Sequence, residues 1–66
     1  MATRLGMTLK KLRIKAGFTQ GELGEKAGVT YAYISMLESG AKSNPSLDLL
    51  KRLAKALRVK AGELLE

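Results

Sequence analysis

Cysteine and histidine are both absent from this chain of 66 residues. Their absence removes disulfide cross-links, thiol catalysis, the common zinc ligand sets and the usual general base. No apolar run approaches the roughly 18 residues that would suggest a membrane span, and the opening Met1-Ala2-Thr3-Arg4 lacks the apolar stretch of a secretory signal. Low-complexity segments, Ser/Gly linkers, internal repeats and the period-two alternation of a strand are missing as well. The carboxylates are scattered, and no glycine loop has phosphate-binding spacing. Neither an enzyme nor a bound metal, cofactor or small-molecule substrate is expected.

What is present is basic and globular. Lys plus Arg number 12 against 6 Asp plus Glu, a formal charge of +6, while hydrophobic residues make up 45%. That balance suits a single folded domain over residues 1–66, expected in the cytoplasm. A domain this small rarely gains more than about 3–5 kcal/mol from one core. With metal and disulfide excluded, pairing with a second copy is the favoured remedy, and tight helix packing alone is the alternative.

Glycines punctuate the chain: Gly17, Gly28 and Gly40 each follow an apolar-periodic stretch, where a left-handed residue closes a helix. After Thr3, a weak cap, Leu5, Leu9, Leu12 and Ala16 mark one face of a helix over about 4–16, with Gly6 weakening its first turn. Thr19-Gln20-Gly21-Glu22 has the spacing of a capping box and opens a helix over 20–27. Thr30 caps a third, over 31–39, in which Ile34 and Leu37 point inward. Only Gly28, Val29 and Thr30 separate these two, so they must cross steeply. Asn44-Pro45 signals a turn. Ser46 then caps a helix over 47–57 whose inner face is Leu47, Leu50, Leu53, Ala54 and Leu57, and a short turn of helix follows at about 61–65. The architecture is all-α, with five short helices.

The stretch from Thr19 to Gly40 resembles the helix-turn-helix of the phage repressor and Cro family. That family's pattern runs roughly S/T-Q-x-x-L-A-x-x-x-G-V-S/T-x-x-x-I-S-x-x-E-x-G. Leu9-Lys10-Lys11-Leu12-Arg13 is similar to its first helix, Asn44-Pro45-Ser46-Leu47 to its turn into helix four, and Leu53 to Leu57 with Leu64-Leu65 to its closing segment. The resemblance implies a lambda-repressor-like fold that reads the major groove of double-stranded DNA with helix three. Leu23, Ala27, Val29, Ile34 and Leu37 would fix the angle between helices two and three.

Two positions depart from the pattern. Gly24 stands where the family usually has alanine, which should cost about 1 kcal/mol of helix propensity; Gly24→Ala is therefore expected to stabilise the protein. Arg58 stands where the family often has glycine, and a left-handed backbone there would store roughly 1 kcal/mol. The resemblance also implies a structural pair between Arg13 and Glu38, with Arg13 on a phosphate as the alternative.

Positive charge flanks the helix-turn-helix. Arg4, Lys10, Lys11, Arg13 and Lys15 precede it, and Lys42, Lys51, Arg52, Lys55, Arg58 and Lys60 follow it. Lys51, Lys55 and Lys60 read as solvated. Residues 31–39 hold no Arg, Lys, Asn or Gln, which is unusual for a base reader. By resemblance, Thr30, Tyr31, Ala32, Ser35 and Met36 fall on base-reading positions. Gln20, Tyr33, Ser39, Lys42, Ser43, Asn44 and Ser46 fall beside the DNA backbone. Packing is the competing role of Tyr33 and Met36. Specificity should then lean on thymine methyl groups and DNA shape.

The expected function is that of a transcriptional regulator, a repressor acting as a homodimer on a near-palindromic operator, located with the prokaryotic nucleoid. Its two reading helices would lie about 34 Å apart. Leu57, Val59, Leu64 and Leu65 are the candidate seam, unless they close the chain's own core. An antitoxin, a restriction–modification controller, or a protein-interaction module of the same fold are the alternatives.

Overall fold

Four of the helices begin at a hydroxyl. Thr3, Thr19, Thr30 and Ser46 accept hydrogen bonds from the amides of Gly6, Glu22, Tyr33 and Leu49 at 2.9, 3.0, 3.1 and 3.1 Å. Each bond satisfies an amide that the helix itself leaves without a partner. The computed structural model describes residues 2–65; Met1 and Glu66, the ends of the expected domain, lie outside the described residues. The elements are α1 (Arg4–Lys15), α2 (Gln20–Ala27), α3 (Tyr31–Ser39), α4 (Leu47–Leu57) and α5 (Ala61–Leu65). No strand occurs among the described residues.

The ends of the helices follow local chemistry. Gly28 is left-handed at φ 76° and closes α2, with its own amide and that of Val29 donating to the carbonyls of Glu25 and Gly24. Arg58 closes α4 with the same hydrogen-bond pattern at φ 58°, and it is the one non-glycine residue of positive φ among those described. A side chain there crowds the following carbonyl, so the position is strained by about 1 kcal/mol. At α5, the Glu63 carboxylate accepts from the Lys60 amide at 2.7 Å.

Leu9, Leu23, Ala27, Ile34, Leu37, Leu49, Leu50, Leu53, Ala54, Leu57 and Leu64 form the buried core, with Leu5, Leu12, Phe18 and Val29 packed against it. Burying a leucine contributes about 1.5–3 kcal/mol. Two inward assignments fail: Leu47 is exposed and Leu49 takes its place in the core, and Ala16 is exposed. Leu49, Leu50, Leu53, Ala54 and Leu57 make the continuous stripe of α4. Leu47 falls in its solvent-facing first turn, and Ala16 lies beyond the last turn of α1.

The two glycines read as weak points are contact points instead. A Cβ on Gly24 would lie 2.7 Å from the Val29 carbonyl oxygen and 3.2 Å from the Thr30 carbonyl. The expected stabilisation by Gly24→Ala is therefore corrected, because the α2 backbone already touches the backbone of the turn. On Gly6 a Cβ would overlap the Leu37 carbonyl oxygen and lie 2.8 Å from that of Glu38. Gly6 thus sets how closely α1 approaches the end of α3.

Candidate nucleic-acid interface

Helix α3 divides by face. Ile34, Leu37 and Glu38 are buried, whereas Tyr31, Ala32 and Ser39 are exposed and Tyr33, Ser35 and Met36 half-buried. Tyr31 is 62% exposed. Residues 31, 32, 35, 36 and 39 share one side of a 3.6-residue repeat, so a hydroxyl- and methyl-bearing surface without formal charge faces outward. Thr30 spends an acceptor on the Tyr33 amide but keeps its hydroxyl proton.

Lys42, Ser43 and Asn44 are exposed in the loop that joins α3 to α4, and Ser46 is exposed at its end. The Ser39 hydroxyl donates to the Met36 carbonyl at 3.2 Å and accepts from the Ala41 amide at 3.3 Å. Its proton is committed to the end of α3, which leaves it only acceptor capacity toward an anion. Ser46 caps α4 through its oxygen and retains a proton to donate.

Below this surface lies a buried ion pair. Arg13 Nε donates to Glu38 Oε2 at 2.6 Å and its Nη2 to Oε1 at 3.1 Å, with the two side chains 11% and 4% exposed. Arg13 Nη1 also donates to the Phe18 carbonyl at 2.7 Å. Gln20, placed by resemblance beside the DNA backbone, donates its amide to Glu38 Oε1 at 3.1 Å. One carboxylate therefore joins α1, the start of α2 and the end of α3. The inward group of Gln20 must be its amide nitrogen, because a carbonyl oxygen there would face the carboxylate. One side-chain N–H of Gln20 is thus spent on the protein.

The capping box at α2 is closed from both sides. The Thr19 amide donates to Glu22 Oε1 at 2.8 Å and the Glu22 amide to Thr19 Oγ1 at 3.0 Å. The Thr19 amide, then the Thr19 hydroxyl and the Lys26 charge hold the Glu22 carboxyl below its usual value of 4.5.

Sequence reasoning overlooked Arg52. Its Nη1 donates to the Ala27 carbonyl at 3.0 Å, capping the C-terminal end of α2, and its Nε pairs with Asp48 at 3.1 Å. The only local signal is the i, i+4 spacing of Asp48 and Arg52, which says nothing of α2.

The candidate seam divides. Leu57 and Leu64 lie in the chain's own core, which corrects their assignment to a partner interface. Val59 is half-buried and Leu65 is 61% exposed, so these two keep apolar surface outside the core. No helix of the described residues is long and apolar enough to cross a membrane.

The sequence profile of the helix-turn-helix family matches residues 9–64. The chain is 36% identical over 62 residues to the HTH-type transcriptional regulator SinR of Bacillus subtilis, covering 94% of this chain and 56% of that protein. The chain thus spans about half the length of that relative. The crystal structure of SinR, the master regulator for biofilm formation, in complex with DNA superposes with a TM-score of 0.90 at 35% identity, over 94% of this chain and 98% of that one. The restriction-modification controller protein C.AhdI from Aeromonas hydrophila superposes with a TM-score of 0.88 at 33% identity, over 92% and 91% of the two chains.

Proposed function

From the premise that this chain belongs to the helix-turn-helix family, we propose that it is a sequence-specific, double-stranded-DNA-binding transcriptional regulator. In the finer reading it is a repressor that occupies a near-palindromic operator as a homodimer, in the cytoplasm and with the nucleoid. The observation that carries it is the outward face of α3, where Tyr31, Ala32, Ser35 and Met36 stand over a buried layer of Ile34 and Leu37. Thr30, Tyr31, Ala32, Ser35 and Met36 read base edges, through single hydrogen bonds and through contact with thymine methyl groups.

Phosphates are met by the first-turn amides and second side-chain N–H of Gln20, by Tyr33, and by Lys42, Ser43, Asn44 and Ser46. Ser39, its proton already used, is the weakest of this set. At the start of α2 the Glu22 amide is taken by the Thr19 cap, whereas the Gln20 and Gly21 amides have no acceptor within the helix and lie at the positive end of its dipole. Val59 and Leu65 supply the apolar part of the pairing surface.

Selection of bound duplexes from a random pool, then a mobility shift at two salt concentrations, tests this reading. A selected sequence should outcompete random duplex, and affinity should fall steeply as salt rises. Equal retention of selected and random duplex would overturn it. Replacing thymine by uracil within a half-site should weaken binding at one or more positions, and no loss at any position would remove the methyl contacts. The likeness to a restriction-modification controller supports a second reading, in which this chain serves as such a controller. An antitoxin or a protein-interaction role would show instead as a partner protein that displaces duplex.

A further inference from the structure

Away from the reading face, four cations converge: Arg52 is paired with Asp48 and Lys26 lies near Glu22, whereas Lys55 and Arg58 have no carboxylate partner among the described residues. Lys26, Arg52, Lys55 and Arg58 line one shallow depression with Ala56, and Ala16, Phe18 and Leu57 line its continuation beside Lys26 and Arg58. No carboxylate lines either part. Arg52 is committed within the fold, closing on the Ala27 carbonyl and pairing with Asp48. Lys26 lies over the Phe18 ring, 5.2 Å from its centre. The side chains of Lys55 and Arg58 form no ion pair or hydrogen bond among the described residues.

Arg58 adds a second and independent observation. Its backbone is left-handed, where glycine would be free of strain. A strained residue whose side chain makes no hydrogen bond or ion pair among the described residues points to a use for that side chain outside the fold.

The depression also lies apart from the surface assigned to DNA. The expected phosphate contacts at Gln20 and Ser46 sit at the N-terminal ends of α2 and α4, whereas Lys26, Lys55 and Arg58 sit at the C-terminal ends. At about 1.5 Å per residue, α4 carries the chain on the order of 18 Å between Ser46 and Arg58 in a molecule of 25 × 23 × 21 Å.

We propose that this depression is a docking site for an acidic, leucine-bearing segment of a partner protein. Its carboxylates would pair with Arg58, Lys55 and Lys26, and its apolar side chain would rest on Ala56, Phe18 and Ala16. Charge complementarity selects the occupant: Lys55, Arg58 and Lys26 beside an apolar floor of Phe18, Ala16 and Ala56 match alternating carboxylate and leucine better than a run of phosphates alone. A regulator could thereby hold duplex on one side and a protein on the other. The docking site does not depend on duplex binding.

The probe is a nine-residue peptide of glutamates interspersed with two leucines, titrated into the labelled full chain, beside a counterpart with glutamine for glutamate. The glutamate peptide should shift the amides of Phe18, Lys26, Lys55, Ala56 and Arg58 and leave those of Tyr31 to Met36 in place. The glutamine peptide should not bind. Arg58→Gly should weaken binding at least five-fold while raising Tm by about 4 °C, which separates lost contact from lost fold. Lys55→Gln should weaken it in the same direction.

Absence of binding, unchanged affinity in Arg58→Gly, or peptide shifts centred on α3 would each overturn the proposal. So would a short duplex that moves the amides of Lys55 and Arg58 as far as those of Thr30 to Met36, because the cations would then serve phosphates. Failure of duplex binding with the peptide result intact would count against the DNA reading alone.

Discussion

At Gly24 a missing methyl group lets two stretches of backbone touch. Alanine would gain about 1 kcal/mol of helix propensity, but its Cβ would stand 2.7 Å from a carbonyl oxygen that belongs to the turn and cannot rotate away. Overpacking of this kind costs about 1–3 kcal/mol, so Gly24→Ala should lower the melting temperature. An unchanged or higher value would show that the turn has room to move. Propensity could be read from the sequence. The clearance could not, because it depends on Val29 and Thr30 returning over α2. Glu38 is the other residue with a large individual effect. Breaking one side of a buried ion pair costs about 3–5 kcal/mol, whereas surface changes stay within about 0.5 kcal/mol. Denaturant melts should therefore separate Glu38→Gln from Glu25→Gln by about 3 kcal/mol or more. Coincident curves would mean that Arg13 finds another acceptor.

Among the elements, α2 shows how a short helix of 8 residues is held at both ends. Its start is closed by Thr19 and Glu22 and its end by Gly28 and Arg52. The first three lie within one stretch of chain and follow known spacings, which made them legible. Arg52 comes from α4, and nothing near Ala27 announces it. The box also carries a pH signature. Because the folded carboxyl of Glu22 titrates below its unfolded value, its contribution to stability is complete above about pH 4.5 and is lost as pH falls through the lowered value. Thermal melts of Glu22→Gln and the parent should differ most near neutral pH and converge as acid protonates the parent's Glu22. A gap that widens in acid would contradict this assignment.

For the whole molecule, the core and the surface for a second copy compete for the same C-terminal leucines. Periodicity marked Leu57, Leu64 and Leu65 as apolar but could not say which body each faces. Only packing assigns Leu57 and Leu64 inward and leaves Leu65 outside. Leu65→Asp should consequently leave the monomer folded and lower the solution mass from dimer to monomer by light scattering, with a parallel loss of duplex affinity. A monomeric parent protein would remove pairing from the scheme. The order of the helices and their caps were legible because each rests on contacts a few residues apart, and most of the interior because its apolar residues recur at helical spacing. The outward-facing positions of α3 were legible in the sequence, while the hydrogen bond from Gln20 to Glu38 was not.

The backbone contact at Gly24 has a mechanical outcome. With no side chain between α2 and the turn that follows it, and one carboxylate fastening the start of α2 to the end of α3, the two rods behave as a single stiff wedge. A wedge without slack cannot mould itself to the groove. On the proposed reading, whatever accommodation a mismatched site demands would come from the duplex, so the choice of site should favour base steps that yield easily.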